Sequence, residues 1–117
     1  MAGDETRVTK ISSIKELAPV ESECCIVQIH GPELGKKYAL QEYEFTIGRE
    51  EGNHIVVDLD NVSRRHAMII RRQGRMFVKD LGSTNGTYLD RGKVTGPTPV
   101  PLGVPIRIGR TALELRP

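Results

Sequence analysis

Five side chains in three polar stretches carry the chemistry of this sequence. Arg49 lies in TIGREEGNH (46–54), Ser63 and Arg64 in DLDNVSRRH (58–66), and Thr84 and Asn85 in DLGSTNGT (80–87). Pooled, they are hydrogen-bond donors around a positive centre. A guanidinium presents a planar fork that suits phosphate or carboxylate oxygens. Serine and threonine hydroxyls add donors, and asparagine both donates and accepts. Gly48, Gly82 and Gly86 in the same stretches permit turns with positive φ. Such turns expose backbone N–H groups, which also bind anions. The set fits an oxyanion ligand.

Catalysis fits less well. A Ser–His–Asp arrangement would draw on Ser63 or Ser83, His66 or His54, and Asp58 or Asp80. No GxSxG nucleophile elbow is present. Ser63 and His66 stand three apart at a strand entry, where alternation sends their side chains to opposite faces. Zinc spacings, P-loops and dinucleotide fingerprints are missing as well. The expectation is a binding module, not an enzyme, with no metal and no cofactor.

The three stretches need a scaffold that brings them together. With 117 residues, 38% of them hydrophobic, the chain has the size of one ordinary domain with a core. From Cys24 onward, short apolar runs alternate with turns. They are CCIVQIH, KKYAL, YEFTIG, HIVVD, RHAMIIRRQ, RMFVKD, TYLD, KVTG, VPIRIG and TALELR. We expect a hairpin turn near Gln41 and Glu42, a second at Gly74 and a third at Arg91–Gly92. A spacing near ten residues per strand, without a long helix, predicts an all-β sandwich or barrel. In a sandwich the loops gather at the two ends, so the three polar loops can share one end.

Residues 1–22 differ in character and are read as a flexible N-terminal tail ahead of a domain at 23–117. A short helical turn is expected around SSIKEL, limited by Pro19. Cys24 and Cys25 are adjacent and so point to opposite faces of a strand, which disfavours a bridge. Free cysteines, a charged N-terminus and no long apolar run lead us to expect a cytoplasmic protein that does not cross a membrane. The net charge of +2 is too small to imply nucleic acid by itself.

TIGRE, SRRH and DLGSTNGTYL, in this order and spacing, resemble the forkhead-associated (FHA) domain. PLGVPIRIGRTALEL resembles that family's final strand pair. The likeness covers about residues 24–116. It implies an 11-stranded FHA-type β-sandwich whose loops at one end bind phosphothreonine peptides. By the same resemblance Arg49 grips the phosphate, Ser63 donates its hydroxyl to it, and Arg64 contacts phosphate or peptide backbone. Thr84 lines the pocket, and Asn85 holds the peptide main chain. Gly48, His66 and Gly86 are architectural, with His66 bracing the loop that presents Ser63. The sequence departs from the family at Val104 and Pro105, where an acidic residue is usual, which bears on a turn away from the ligand. It also looks like the N-terminal part of bacterial signalling proteins, in some of which an FHA domain precedes a GGDEF diguanylate cyclase.

The resemblance implies a phosphothreonine-containing partner and a Ser/Thr kinase upstream. The partner is another protein or this chain's own tail, where Thr6 and Thr9 sit beside basic residues and are the candidate phosphoacceptors. An alternative is a phosphate-independent assembly scaffold. Arg64, Arg65, Arg71, Arg72 and Arg75 lie close in sequence, but no aromatic residue is interleaved. Single-strand binders rely on stacking faces, so we read these arginines as solvated positions and expect no nucleic-acid partner.

Overall fold

The computed structural model describes residues 24–117 apart from Arg91. The expected tail, the SSIKEL turn, and Thr6 and Thr9 lie outside the described residues. Eleven strands and no helix are formed among the described residues. They are β1 (Cys25–His30), β2 (Lys37–Ala39), β3 (Glu44–Gly48), β4 (Ile55–Val56), β5 (Ala67–Arg72), β6 (Arg75–Asp80), β7 (Thr87–Leu89), β8 (Gly92–Lys93), β9 (Thr98–Pro99), β10 (Pro105–Ile108) and β11 (Thr111–Arg116). Six strands form one sheet in the order β2-β1-β11-β10-β7-β8, and five form the other in the order β4-β3-β5-β6-β9.

Alternation explains which residues face inward. In β3, Phe45 and Ile47 enter the core, while Glu44 and Thr46 take the other face, where His54 covers Thr46; in β5, Ala67 and Ile69 also enter the core. Across the sandwich they meet Ile26, Ile106, Ile108, Leu113 and Leu115. These side chains are almost wholly removed from water, and their burial is the main favourable contribution to the fold. Most pairings are antiparallel, but β3 and β4 run parallel. That pairing sends the chain outward at Gly48 and brings it back through the loop at 49–54.

One expected turn is corrected. Gln41 and Glu42 do not close a hairpin. β2 pairs with β1 in the six-stranded sheet, whereas β3 pairs with β4 and β5 in the other. The segment crosses from sheet to sheet, and buried Leu40 pins the crossing inside the core. β9 is an added element in the Pro- and Gly-rich stretch. It forms a sheet edge, where the missing N–H of Pro99 leaves no ladder bond unmade. The expected hairpin at Gly74 forms between β5 and β6, and β7 pairs with β8. At the unusual Val104 and Pro105, Gly103 takes φ 79° and Val104 N–H donates to Pro101 O at 3.3 Å before β10 begins.

The arginines do not make a stripe. Arg64 and Arg65 lie at one end of the sandwich, and Arg71, Arg72 and Arg75 at the other. Arg71 is also not simply solvated. It turns inward, donates from Nη1 to Leu40 O at 2.8 Å, and stacks its guanidinium 5.3 Å from the Tyr43 ring centre.

Candidate functional site

The strand ends at Gly48, Ala67, Asp80 and Thr87 lie at one end of the sandwich. The loops between them enclose a cleft of about 410 Å³. Arg49, Ser63, Arg64, Thr84 and Asn85 all line it. Arg65, read from the sequence as a solvated position, also borders it, and Asp60, Asn61 and Val62, which were not singled out in the sequence, complete the lining.

The loops are tied to one another before any ligand arrives. Arg49 N–H donates to Ser63 O at 3.0 Å, and Glu50 N–H to Arg64 O at 3.3 Å. Asn53, buried, donates from Nδ2 to both Glu50 O and Arg64 O at 2.8 Å. This clamp demands a close approach at Gly48. A Cβ there would lie 2.1 Å from Arg64 O. Gly48 therefore serves space and not a left-handed turn, which corrects the sequence-based expectation. Gly82 (φ 78°) and Gly86 (φ 88°) do take the left-handed conformation.

His66 is fully buried and joins two loops. Its Nδ1 accepts from Ser63 N–H at 3.0 Å, and its Nε2 donates to Gly86 O at 2.8 Å. Both ring nitrogens are thereby used, with the proton on Nε2. No nitrogen is left to deprotonate Ser63, whose hydroxyl bonds elsewhere. A triad through Ser63 and His66 is excluded by this geometry. His66 N–H bonds Ile47 O and His66 O accepts from Leu81 N–H, so the main chain here is also fastened to the two neighbouring strands.

Asp80 holds the third loop. It accepts from the N–H groups of Gly82 and Ser83 at 2.9 and 2.8 Å, and from the hydroxyls of Ser83 and Thr87. Ser83 Oγ in turn accepts from Gly86 N–H at 2.9 Å. Burial alone pushes the Asp80 carboxyl up, but the hydrogen bonds from Ser83, Thr87 and Gly82 outweigh it and hold it below its ordinary value. The network lay hidden in the sequence because it runs through turn residues that also read as a plain Asn–Gly turn.

What remains free decides the chemistry. Arg49 spends Nε on Val62 O at 3.1 Å. That bond orients the guanidinium, and its two terminal nitrogens make no hydrogen bond among the described residues. Ser63 Oγ accepts from Thr84 N–H at 3.0 Å, so its own proton points elsewhere and is available to a ligand. Asn85 Nδ2 rests on Asn61 O at 3.0 Å. Arg64 and Arg65 are exposed at the rim and form no ion pair among the described residues. Three cationic side chains thus face a cleft with one carboxylate on its wall, Asp60. Such a cleft attracts an anion and offers it fixed donors.

The family model for the FHA domain matches residues 45–109, more than half of the chain. FhaB, an FHA domain-containing protein of Mycobacterium tuberculosis, is 48% identical over 92 residues, which cover 79% of this chain and 59% of FhaB. Mycobacterium tuberculosis EmbR, solved with a low-affinity phosphopeptide, superposes with a TM-score of 0.73 and 30% identity, over 80% of this chain and 24% of EmbR. A structure from a study of phosphothreonine-dependent FHA domain interactions matches with a TM-score of 0.72 and 28% identity, over 80% of this chain and 95% of its own. The chain spans about six-tenths of the FhaB length. By its fold and by the residues matched, the chain belongs to the FHA domain family.

Proposed function

We propose that the cleft end of the sandwich recognises phosphothreonine in peptides, and that the chain works as a signalling reader, not as an enzyme. One observation carries the reading. Arg49 and Ser63 use some of their hydrogen-bonding capacity to be held in place, and their remaining donors face the cleft. A phosphate brings about −1.5 to −2 charge at neutral pH and three strong acceptor oxygens. Unmodified threonine brings neither, so the modified peptide is strongly preferred. In this reading Arg49 and Ser63 bind the phosphate and Arg64 reaches phosphate or main chain. Thr84 shapes the pocket. Asn85 leaves Asn61 O, or shares it, to hold the peptide backbone, while Gly48, His66 and Gly86 keep the loops in place.

The partner is a cytoplasmic protein phosphorylated by a Ser/Thr kinase, or residues 1–22 of this chain through Thr6 or Thr9. Length supports the second source. Cys24 sits with Gly74 at the end of the sandwich away from the cleft, one strand length or about 20 Å from it. The residues between Thr9 and Cys24 reach roughly 50 Å when extended. A tethered ligand also has an effective concentration of order millimolar. An effector such as a diguanylate cyclase, joined beyond residue 117, rests on resemblance alone.

Calorimetry tests the proposal. Peptides of residues 1–14 are titrated unmodified, phosphorylated on Thr6 and phosphorylated on Thr9, beside a library of unrelated phosphothreonine peptides. Heat that depends on phosphate supports the reader. Binding to none of them, together with a phosphate-insensitive pull-down, favours the assembly scaffold instead.

A further inference from the structure

The opposite end of the sandwich carries a second surface that phosphate reading does not use. β5 and β6 are joined there by a two-residue turn, Gln73 (φ 52°) and Gly74 (φ 76°). The register sets Arg72 directly opposite Arg75. Like charges in facing positions repel, yet neither arginine has an ion-pair partner among the described residues. Beside them on the outer face of the sheet is a hollow of about 730 Å³ floored by Ile70 and Phe77, with Tyr43 and Glu44 at its rim. Tyr43 is 73% exposed. Arg75 also borders a second, more apolar hollow containing Met76, Leu102 and Leu115. Leu102 is 56% exposed.

Cys24 lines that second hollow. Cys24, to which residue 23 is bonded, thus borders the same hollow as Arg75. Residues 16–23 read ELAPVESE, with three glutamates, no basic residue, and Leu17, Pro19 and Val20 between them. This composition complements two arginines that have no ion-pair partner among the described residues and that border hollows with apolar side chains in their walls. Eight residues reach about 26 Å when extended, well beyond the roughly 10 Å between packed sheets.

We propose that residues 16–23 dock across this end, with Leu17 and Val20 against the hollows and Glu21 and Glu23 facing Arg72 and Arg75. The contact is independent of phosphate. It anchors the segment that leads to Thr6 and Thr9 at the end away from the cleft, and so restricts where those threonines can go.

The experiment records amide ¹H–¹⁵N spectra of the full chain and of a free peptide of residues 1–23. In the wild type, the amides of 16–23 are expected to differ from those of the peptide. In Arg72→Glu/Arg75→Glu they should coincide with the peptide. Adding Glu21→Arg and Glu23→Arg to that variant should move them away from those of a peptide carrying the same two substitutions, which a merely structural effect of the arginines does not do. Strand amides serve as the check on folding. The proposal is overturned if the wild-type amides already match the peptide, or if they differ but ignore the charge reversal. Phosphopeptide affinity measured on the same samples is expected to stay unchanged, so a failure here is separable from a failure of the cleft.

Discussion

The two ends of the sandwich solve the same problem, how to turn strands around, in opposite ways. At the cleft end, four strand ends are joined by long loops that are bonded to one another. His66, Asn53 and Asp80 each satisfy main-chain groups of a loop other than their own or close their own loop several times over. At the far end, β5 and β6 turn in two residues with no side-chain bond into the turn among the described residues, and Arg71 braces the neighbouring crossing, through Leu40 O. The difference teaches what the bracing is for. A turn that only reverses the chain needs backbone conformation and nothing more. A surface that must hold donors at fixed positions in the absence of its ligand needs its supporting groups satisfied by the protein, so that little ordering cost remains on binding.

The sharpest way to break this contrast is Arg49→Ala. It removes the free guanidinium nitrogens but only one bond to the framework. Phosphopeptide binding should fall below calorimetric detection while the thermal midpoint stays near wild type. Removing one charge-assisted hydrogen bond costs about 1.5–3 kcal/mol, and the free guanidinium can make more than one. Near-normal affinity in this variant would falsify the cleft assignment.

Gly48→Ala attacks the bracing instead of the donors. The new Cβ collides with Arg64 O, so the two loops must part. We expect about 1–3 kcal/mol of lost stability together with weakened phosphopeptide binding, although no donor is removed. Denaturant unfolding beside calorimetry checks this, and normal stability would mean the loops need not approach so closely.

Asp80 gives the contrast a pH dependence. Its carboxyl is held below its ordinary value in the folded protein. Its stabilising contribution is therefore fully present above the unfolded value of about 3.9 and is lost as pH falls below that, through the lower folded value. Asp80→Asn should cost about 1–3 kcal/mol at neutral pH, through unmet donors in its loop. The urea midpoints of wild type and variant should draw together below about pH 4. A gap that stays constant down to about pH 3 would mean the charge is not what the loop uses.

The smallest effect belongs to the far end. Gln73→Gly relieves a non-glycine residue of its left-handed conformation while loosening the unfolded chain, and these oppose. Stability should move by less than about 1 kcal/mol and phosphopeptide affinity not at all. A change in affinity would show that the two ends are coupled.

The strands were legible because alternation and turn chemistry are local. Phe45, Ile47, Ala67 and Ile69 announce an inward face within a few residues of sequence. The assignment of strands to sheets was less legible. Nothing local in Gln41–Glu42 distinguishes a hairpin from a crossing between layers; buried Leu40 and the distant partners of β3 decide it. In the cleft, donors such as Arg49 and Ser63 stood out by type and by their shared motif spacing. Asn61 did not, because its contribution is a main-chain carbonyl under Asn85 that no side-chain inventory reveals. Gly48 was picked out for the wrong reason, since sequence signals a glycine but not whether it supplies a turn or room.

The register of the six-stranded sheet has a further consequence, for the order of events during synthesis. β1 lies between β2 and β11, and Cys25 faces Arg116. On leaving the ribosome, β1 therefore cannot gain its main partner until β11 has followed. The β5–β6 hairpin can form early, since its partners are adjacent in the chain, but the seam that closes the sandwich waits for Thr111–Arg116. Such distant pairing slows folding. It also makes β11 the switch between an unfinished sheet, with Ile26 and Val27 uncovered, and a finished one.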